Sequence, residues 1–201
     1  MIVSGNVSEV TWGDGNWIFL DIGFSGAANA RGKTCGLLVG DGEPELANFS
    51  ASVQKIITTI RASRSTINLV IEAPLSVCFR DGNPTGRSIE KVKGEAQRLW
   101  YFGAGCAVMV ASMYLIRQIV DAKPRVTIRL FEGFVSYKKR SKKSDHKRDT
   151  KLLREVVINP EKYSDCIIGK DKLTLHDDML SSAFRVIGLD VGAPAVIKRS
   201  A

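Results

Sequence analysis

The residues most able to do chemistry are acids that end apolar runs. Asp21 interrupts Asn16–Gly23 (NWIFLDIG), Glu72 closes Ile67–Glu72 (INLVIE), Glu132 follows Arg125–Phe131 (RVTIRLF), and Asp177-Asp178 open an amphipathic segment near the end of the chain. An acid flanked by apolar residues is costly to bury unless it pairs or meets a cation. Active sites of α/β sheets also gather at the carboxyl ends of strands. Carboxylates converging from separate elements repel one another, and a divalent ion offsets that repulsion. Oxygen ligands suit magnesium or manganese, and a pair of such ions can drive an in-line phosphoryl displacement. The candidate acids are Asp21, Glu72, Glu132, Asp177 and Asp178, and Asp177 taken alone reads as a helix cap. His176 stands beside them as an alternative ligand or base, or as a neighbour of that cap.

Basic residues fall next to these acids. Arg80 and Arg87 lie in the Pro/Gly-rich stretch after Glu72, and an arginine fork binds phosphate bidentately. The net charge over 201 residues is +8, and the run Lys138–Arg154 (KKRSKKSDHKRDTKLLR) carries +7 of it. Lys138, Lys139, Arg140, Lys142, Lys143, Lys147 and Arg148 form a basic loop at about 138–148. A patch this dense is either a solvated loop or a salt-sensitive seat for a phosphate backbone.

Other chemistries find little support. A Walker phosphate loop and a GxGxxG loop in strand–helix context are both missing. Ser25 and Ser76 lack a histidine at a plausible site, since His146 and His176 are the only two. The four cysteines are widely spaced and show no CxxC ligand pattern, which points to a reducing, cytoplasmic setting. Met1–Trp12 has no basic region before an apolar core, and Ala104–Val120 is too short to span a bilayer.

The elements that must position the acids follow from periodicity. Strands are expected at Asn16–Gly23, Lys33–Val39, Glu45–Phe49, Ile67–Glu72 and Arg125–Phe131, with a short one at Pro194–Lys198. Helices are expected from Ser50 to about Arg64, over Ser88–Asp121 with a break at Gly103 and Gly105, over Thr150–Val157, and over His176–Leu189. Ala73–Arg87 reads as a loop. The order implies one α/β domain across residues 1–201, a mixed central sheet flanked by helices.

This order of elements and acids resembles the ribonuclease H-like superfamily. There an Asp on the first strand, an acid ending the fourth and an acid on the last helix hold the metals. Asp21, Glu72 and Asp178 fit those places by position, and Asp178–Phe184 (DMLSSAF) is similar to the closing helix. A closer resemblance is to a predicted-nuclease branch of the superfamily known as a domain of unknown function. Glu72-Ala73-Pro74-Leu75-Ser76, an arginine-bearing loop, Glu132, the lysines after it and Leu152-Leu153 match that branch in order. The branch's His-Pro-Glu after the late strand is absent here, where Gly133-Phe134 follows Glu132. Asp21-Ile-Gly-Phe-Ser-Gly also looks like the first phosphate loop of sugar kinases and actin-like ATPases, but that fold needs two copies and 201 residues hold one.

The resemblance implies a magnesium- or manganese-dependent nuclease that hydrolyses phosphodiester bonds of DNA or RNA, with Asp21, Glu72 and Asp178 as metal ligands and Glu132 or Asp177 completing the catalytic set or orienting water. The alternative is a catalytically inactive nucleic-acid-binding or assembly subunit of a larger complex. Neither reading calls for a membrane.

Overall fold

A computed structural model describes residues 1–23, 34–91, 99–103, 105–135 and 145–199. The chain opens with β1 (Ile2–Ser4) and α1 (Val7–Thr11). An antiparallel meander follows: β2 (Asn16–Ile22), β3 (Cys35–Val39) and β4 (Glu45–Ala47). Next come α2 (Phe49–Ala62), β5 (Ile67–Glu72), and the hairpin β6 (Ser76–Arg80) and β7 (Asn83–Thr85). The last part holds α3 (Gly105–Asp121), β8 (Ile128–Val135), α4 (His146–Ile158), β9 (Ile167–Ile168), β10 (Met179–Ser182) and β11 (Val196–Arg199).

The main sheet runs β4-β3-β2-β5-β8-β11-β9, with β1 also paired to β8. β2, β5 and β8 are parallel neighbours, so the sheet is mixed. Its strands alternate between two packed faces. Ile18, Leu20, Leu69, Ile71 and Leu130 face α2 and α3, meeting Ile56, Ile60, Leu115 and Ile119. Phe19, Val70 and Phe131 face the other way, onto Leu153, Val156 and Val157 of α4. A strand buried on both faces reads as a continuous apolar run, which is why β2 and β5 are legible in the sequence.

α2 begins one residue before the expected Ser50, because the Asn48 side chain accepts the Ala51 N–H at 2.8 Å and caps the helix. α4 starts earlier than Thr150 for the same reason: Asp145 accepts the Arg148 N–H at 3.1 Å. Of the helix expected over Ser88–Asp121, only α3 from Gly105 onward is α-helical: Ser88–Glu90 and Trp100–Phe102 are 3-10 turns, and residues 92–98 and 104 lie outside the described residues.

Three expectations need correction. The stretch Ala73–Arg87 is not all loop, since β6 and β7 form a hairpin within it. Its turn puts Asp81 (φ 49°) and Gly82 (φ 76°) in the left-handed region, as an Asp-Gly two-residue turn requires. Glu132 does not end a strand, because β8 continues to Val135. His176–Leu189 is not a helix. Met179–Ser182 pair antiparallel with β6, and only Ala183–Ile187 forms a short 3-10 turn. The Ser182 hydroxyl accepts the Phe184 N–H at 3.3 Å, a local bond that offers the backbone an alternative to the helix. Among the described residues, no helix is long and apolar enough to cross a membrane.

Candidate metal centre

The central strands bring two of the expected acids side by side. Asp21, next to last in β2, is the register partner of Glu72 at the end of β5. Partnered residues on neighbouring strands point to the same face. Asp21 shares its face with Phe19 and Glu72 with Val70, so both carboxylates lie on the α4 side. Asp21 is 3 % exposed. Glu72 Oε1 accepts the Val135 N–H at 3.3 Å, which ties the end of β5 to β8.

α4 supplies the rest. His146 and Asp149 stand one turn apart at its start and point toward the sheet. His146 Nδ1 lies 2.8 Å from Asp21 Oδ2. Asp21, His146 and Asp149 each offer a ligand atom, and these atoms lie within 4.8 Å of one another. Asp149 is 1 % exposed. As an acid in the first turn it sits at the favourable end of the helix dipole.

Two glycines let the helix come this close. A Cβ on Gly36, the register partner of Asp21 on β3, would lie 2.1 Å from the His146 carbonyl oxygen. A Cβ on Gly23 would lie 2.1 Å from His146 Nε2 and 2.3 Å from the Thr34 carbonyl oxygen. The helix start therefore rests on bare backbone.

Two buried carboxylates and an imidazole within ligand reach form a donor set for a divalent cation. The set suits magnesium, manganese or zinc by chemistry. Asp21 and Asp149 would hold the ion, with His146 as a third ligand or as the group that orients Asp21 through Nδ1. Glu72 lies on the same face, as the register partner of Asp21, but it is not among the ligand atoms grouped within 4.8 Å. A cleft of about 150 Å³ lined by Asn16, Trp17, Gly40 and Arg154 sits at the opposite end of β2 and contains none of these residues.

The other expected site residues are placed elsewhere. Glu132 is the register partner of Ile71, not of Glu72, so its side chain leaves the sheet on the opposite face. There it is fully buried, its Oε2 2.8 Å from Arg87 Nη1 and 2.8 Å from the Leu75 N–H that it accepts. Arg87, expected to bind phosphate, is also fully buried. It donates to Glu90 Oε1 through Nε and Nη2, and to Ser76 Oγ and Glu132 through Nη1. Burial works against the Arg87 charge, but Glu132 and Glu90 more than offset it and hold its pKa above the ordinary value. Burial raises the Glu90 pKa, against the pull of Arg87.

Asp178 does not sit on a helix but just before β10, opposite the end of β6. Arg80 grips it through Nε at 2.6 Å and Nη2 at 3.1 Å. That hydrogen-bonded grip lowers the Asp178 pKa. Arg80 and Asp178 thus satisfy each other at the far end of β6, and Asp178 is not among the grouped ligand atoms of the described residues. Asp177 and His176 are exposed. Lys147 and Arg148 lie exposed on the first turn of α4, beside His146. Lys138, Lys139, Arg140, Lys142 and Lys143 lie outside the described residues.

His146 and Asp149 escape sequence reasoning because they are embedded in the basic run. A signal is nonetheless present: with Asp145 as a cap, His146 and Asp149 fall at i and i+3 on one helix face. Comparison with protein-family models, with curated proteins and with solved structures finds no match.

Proposed function

We propose that the protein is a divalent-ion-dependent nuclease of ribonuclease H-like design. The observation that carries this reading is the grouping of Asp21, His146 and Asp149 within 4.8 Å at the carboxyl end of β2, with Glu72 as the neighbour of Asp21. The fold supports it: a three-stranded antiparallel meander continues into parallel β5 and β8, giving the strand order β4-β3-β2-β5-β8. β2 and β5 stand for the first and fourth strands of the resemblance, and they carry Asp21 and Glu72. The helical acid comes from α4, as Asp149, instead of the expected Asp178.

Asp21 and Asp149 would hold a magnesium or manganese ion, and Glu72 would complete the shell or orient a water. When bound, such an ion supplies a Lewis acid for the phosphoryl oxygen and a more acidic water. The protein's own contribution is placement. Asp21 fixes the His146 ring through Nδ1, and the Val135 N–H holds the Glu72 carboxylate against the sheet. Lys147 and Arg148 present charge next to the cluster, where they would hold the phosphate backbone of a nucleic acid.

The test is manganese titration calorimetry, followed by cleavage of a panel of DNA and RNA duplexes, single strands and junctions. Manganese binding and cleavage by the wild type, both lost in Asp21→Asn and Asp149→Asn proteins that still fold, are the expected results. A wild type that takes up no manganese and cuts nothing overturns the proposal. Salt-sensitive nucleic-acid binding without ion uptake would instead select the non-catalytic reading.

A further inference from the structure

On the far side of the sheet from the cluster, a buried ionic group ties together three segments that are distant in sequence. Arg87 and Glu132 are completely enclosed. Arg87 is locked to its own turn, its Nε and Nη2 on Glu90 Oε1 and its N–H on Glu90 Oε2 at 3.2 Å. Its Nη1 reaches both Ser76 Oγ, at 2.9 Å, and Glu132 Oε2, at 2.8 Å. The same Oε2 accepts the Leu75 N–H, while Glu132 Oε1 has no hydrogen-bond partner among the described residues. The Glu132 carboxylate is thus committed through one oxygen to the chain just past Glu72.

The exit of β5 is therefore held from both faces by β8. On the α4 side the Val135 N–H donates to Glu72 Oε1. On the opposite side Glu132 receives the Leu75 N–H, three residues beyond Glu72. The intervening Ala73 N–H donates to Ile71 O at 2.8 Å, so the chain turns tightly between the two attachments.

We propose that Glu132 and Arg87 are positioning residues for Glu72, setting its carboxylate for the ion bound at Asp21 and Asp149. This rests on the reading of that cluster as a metal site. Neither residue touches the ion or the substrate. They act through the Ala73–Leu75 turn, and their loss weakens ion binding in the way that outer-shell losses do, by about tenfold.

A buried ion pair broken on one side destabilises the fold, whereas replacing both partners by apolar residues of similar volume is often neutral. The decisive protein is therefore the full chain carrying Arg87→Met and Glu132→Leu together, compared with wild type by thermal melting and by manganese titration calorimetry. The expected result is a cooperative melt close to that of wild type with manganese affinity about tenfold lower. Glu132→Asp keeps the charge but withdraws the carboxylate by one methylene, and is expected to lose affinity similarly. Glu132→Gln keeps an oxygen for the Leu75 N–H and is expected to stay within about threefold of wild type. A folded double variant, or a folded Glu132→Asp protein, that binds manganese as wild type does overturns the inference and leaves the metal site standing. A wild type that binds no manganese overturns both.

Discussion

Gly36→Ala tests whether the closeness of α4 to the sheet is what builds the cluster. The added Cβ would stand 2.1 Å from the His146 carbonyl oxygen and 2.5 Å from its carbonyl carbon. Ordinary contacts begin at 3.4 Å, so the start of α4 must withdraw by about 1.3 Å or β3 must bend. The obstacle is backbone, which cannot rotate aside as a side chain can. Overpacking of this kind costs about 1–3 kcal/mol. Absent a clash, alanine in a strand is favoured over glycine by about 0.5–1 kcal/mol, so the sign of the change is informative. At about 2–4 °C per kcal/mol for a chain of this size, the expected drop in melting temperature is about 2–12 °C. Function should suffer more than stability. A displacement of about 1 Å in a reacting constellation costs on the order of 100-fold in rate. The assays are differential scanning calorimetry, manganese titration and nuclease rate on one preparation. A Gly36→Ala protein that melts at or above the wild-type temperature and binds manganese equally well would refute the close approach of His146 to the sheet, and with it the site.

The remaining predictions address the ion, the charge and the pH. Manganese at 100 times its dissociation constant should stabilise the wild type by about 2.7 kcal/mol, a rise of about 5–11 °C in melting temperature. Asp149→Asn should abolish that rise, and a rise that survives would count against the ligand set. Alanine at Lys147 and at Arg148 should each lower the magnitude of the salt slope of nucleic-acid binding by about 1 for every phosphate that is no longer engaged. An unchanged slope would remove them from the interface. The Arg80 grip lowers the Asp178 pKa, so its contribution to stability is present above the ordinary carboxylate range and fades as pH falls through the lowered value. The melting-temperature gap between wild type and Arg80→Ala should accordingly narrow on acidification, and a gap that widens would contradict the pairing.

Legibility in the sequence depends on where each signal is local. β2, β5 and the core of β8 announce themselves because both faces are buried, so their residues are mostly apolar until an acid appears. α2 is equally plain, with Val53, Ile56, Ile57 and Ile60 on one buried face. The segment after His176 carries the same helical spacing, yet pairs with β6, because strand partners distant in sequence decide its conformation. β6 and β7 are hidden by the Pro and Gly that make their hairpin. For the candidate cluster, Asp21 at the end of an apolar run is readable, and its helical members are not. Asp149 lies in the densest positive run of the chain, where an acid looks like charge balance. What separates it from Asp145 is burial, and burial there follows from Gly23 and Gly36 on segments far upstream.

Glu132 shows why an acid that follows an apolar run in the sequence is too coarse a criterion for a ligand. It lies within one residue of Glu72 along the sheet and is carried by the adjacent strand, so in the sequence it looks equivalent. The register pairs it with Ile71, however, and a one-residue offset reverses the face. Parity alone therefore sorts the three central acids: Asp21 and Glu72 on the α4 face, Glu132 behind them. Behind the sheet the Arg87 guanidinium bonds to both Glu90 and Glu132, so the carboxylates there are already held by a side chain of the fold. In front, Asp21 and Asp149 are both buried, and their ligand atoms and that of His146 lie within 4.8 Å of one another, close enough to share one ion. A divalent cation bound there would become the largest local charge. Chelator should therefore cancel the manganese-dependent rise in the melting temperature of the wild type and leave the melts of Asp21→Asn and Asp149→Asn unchanged.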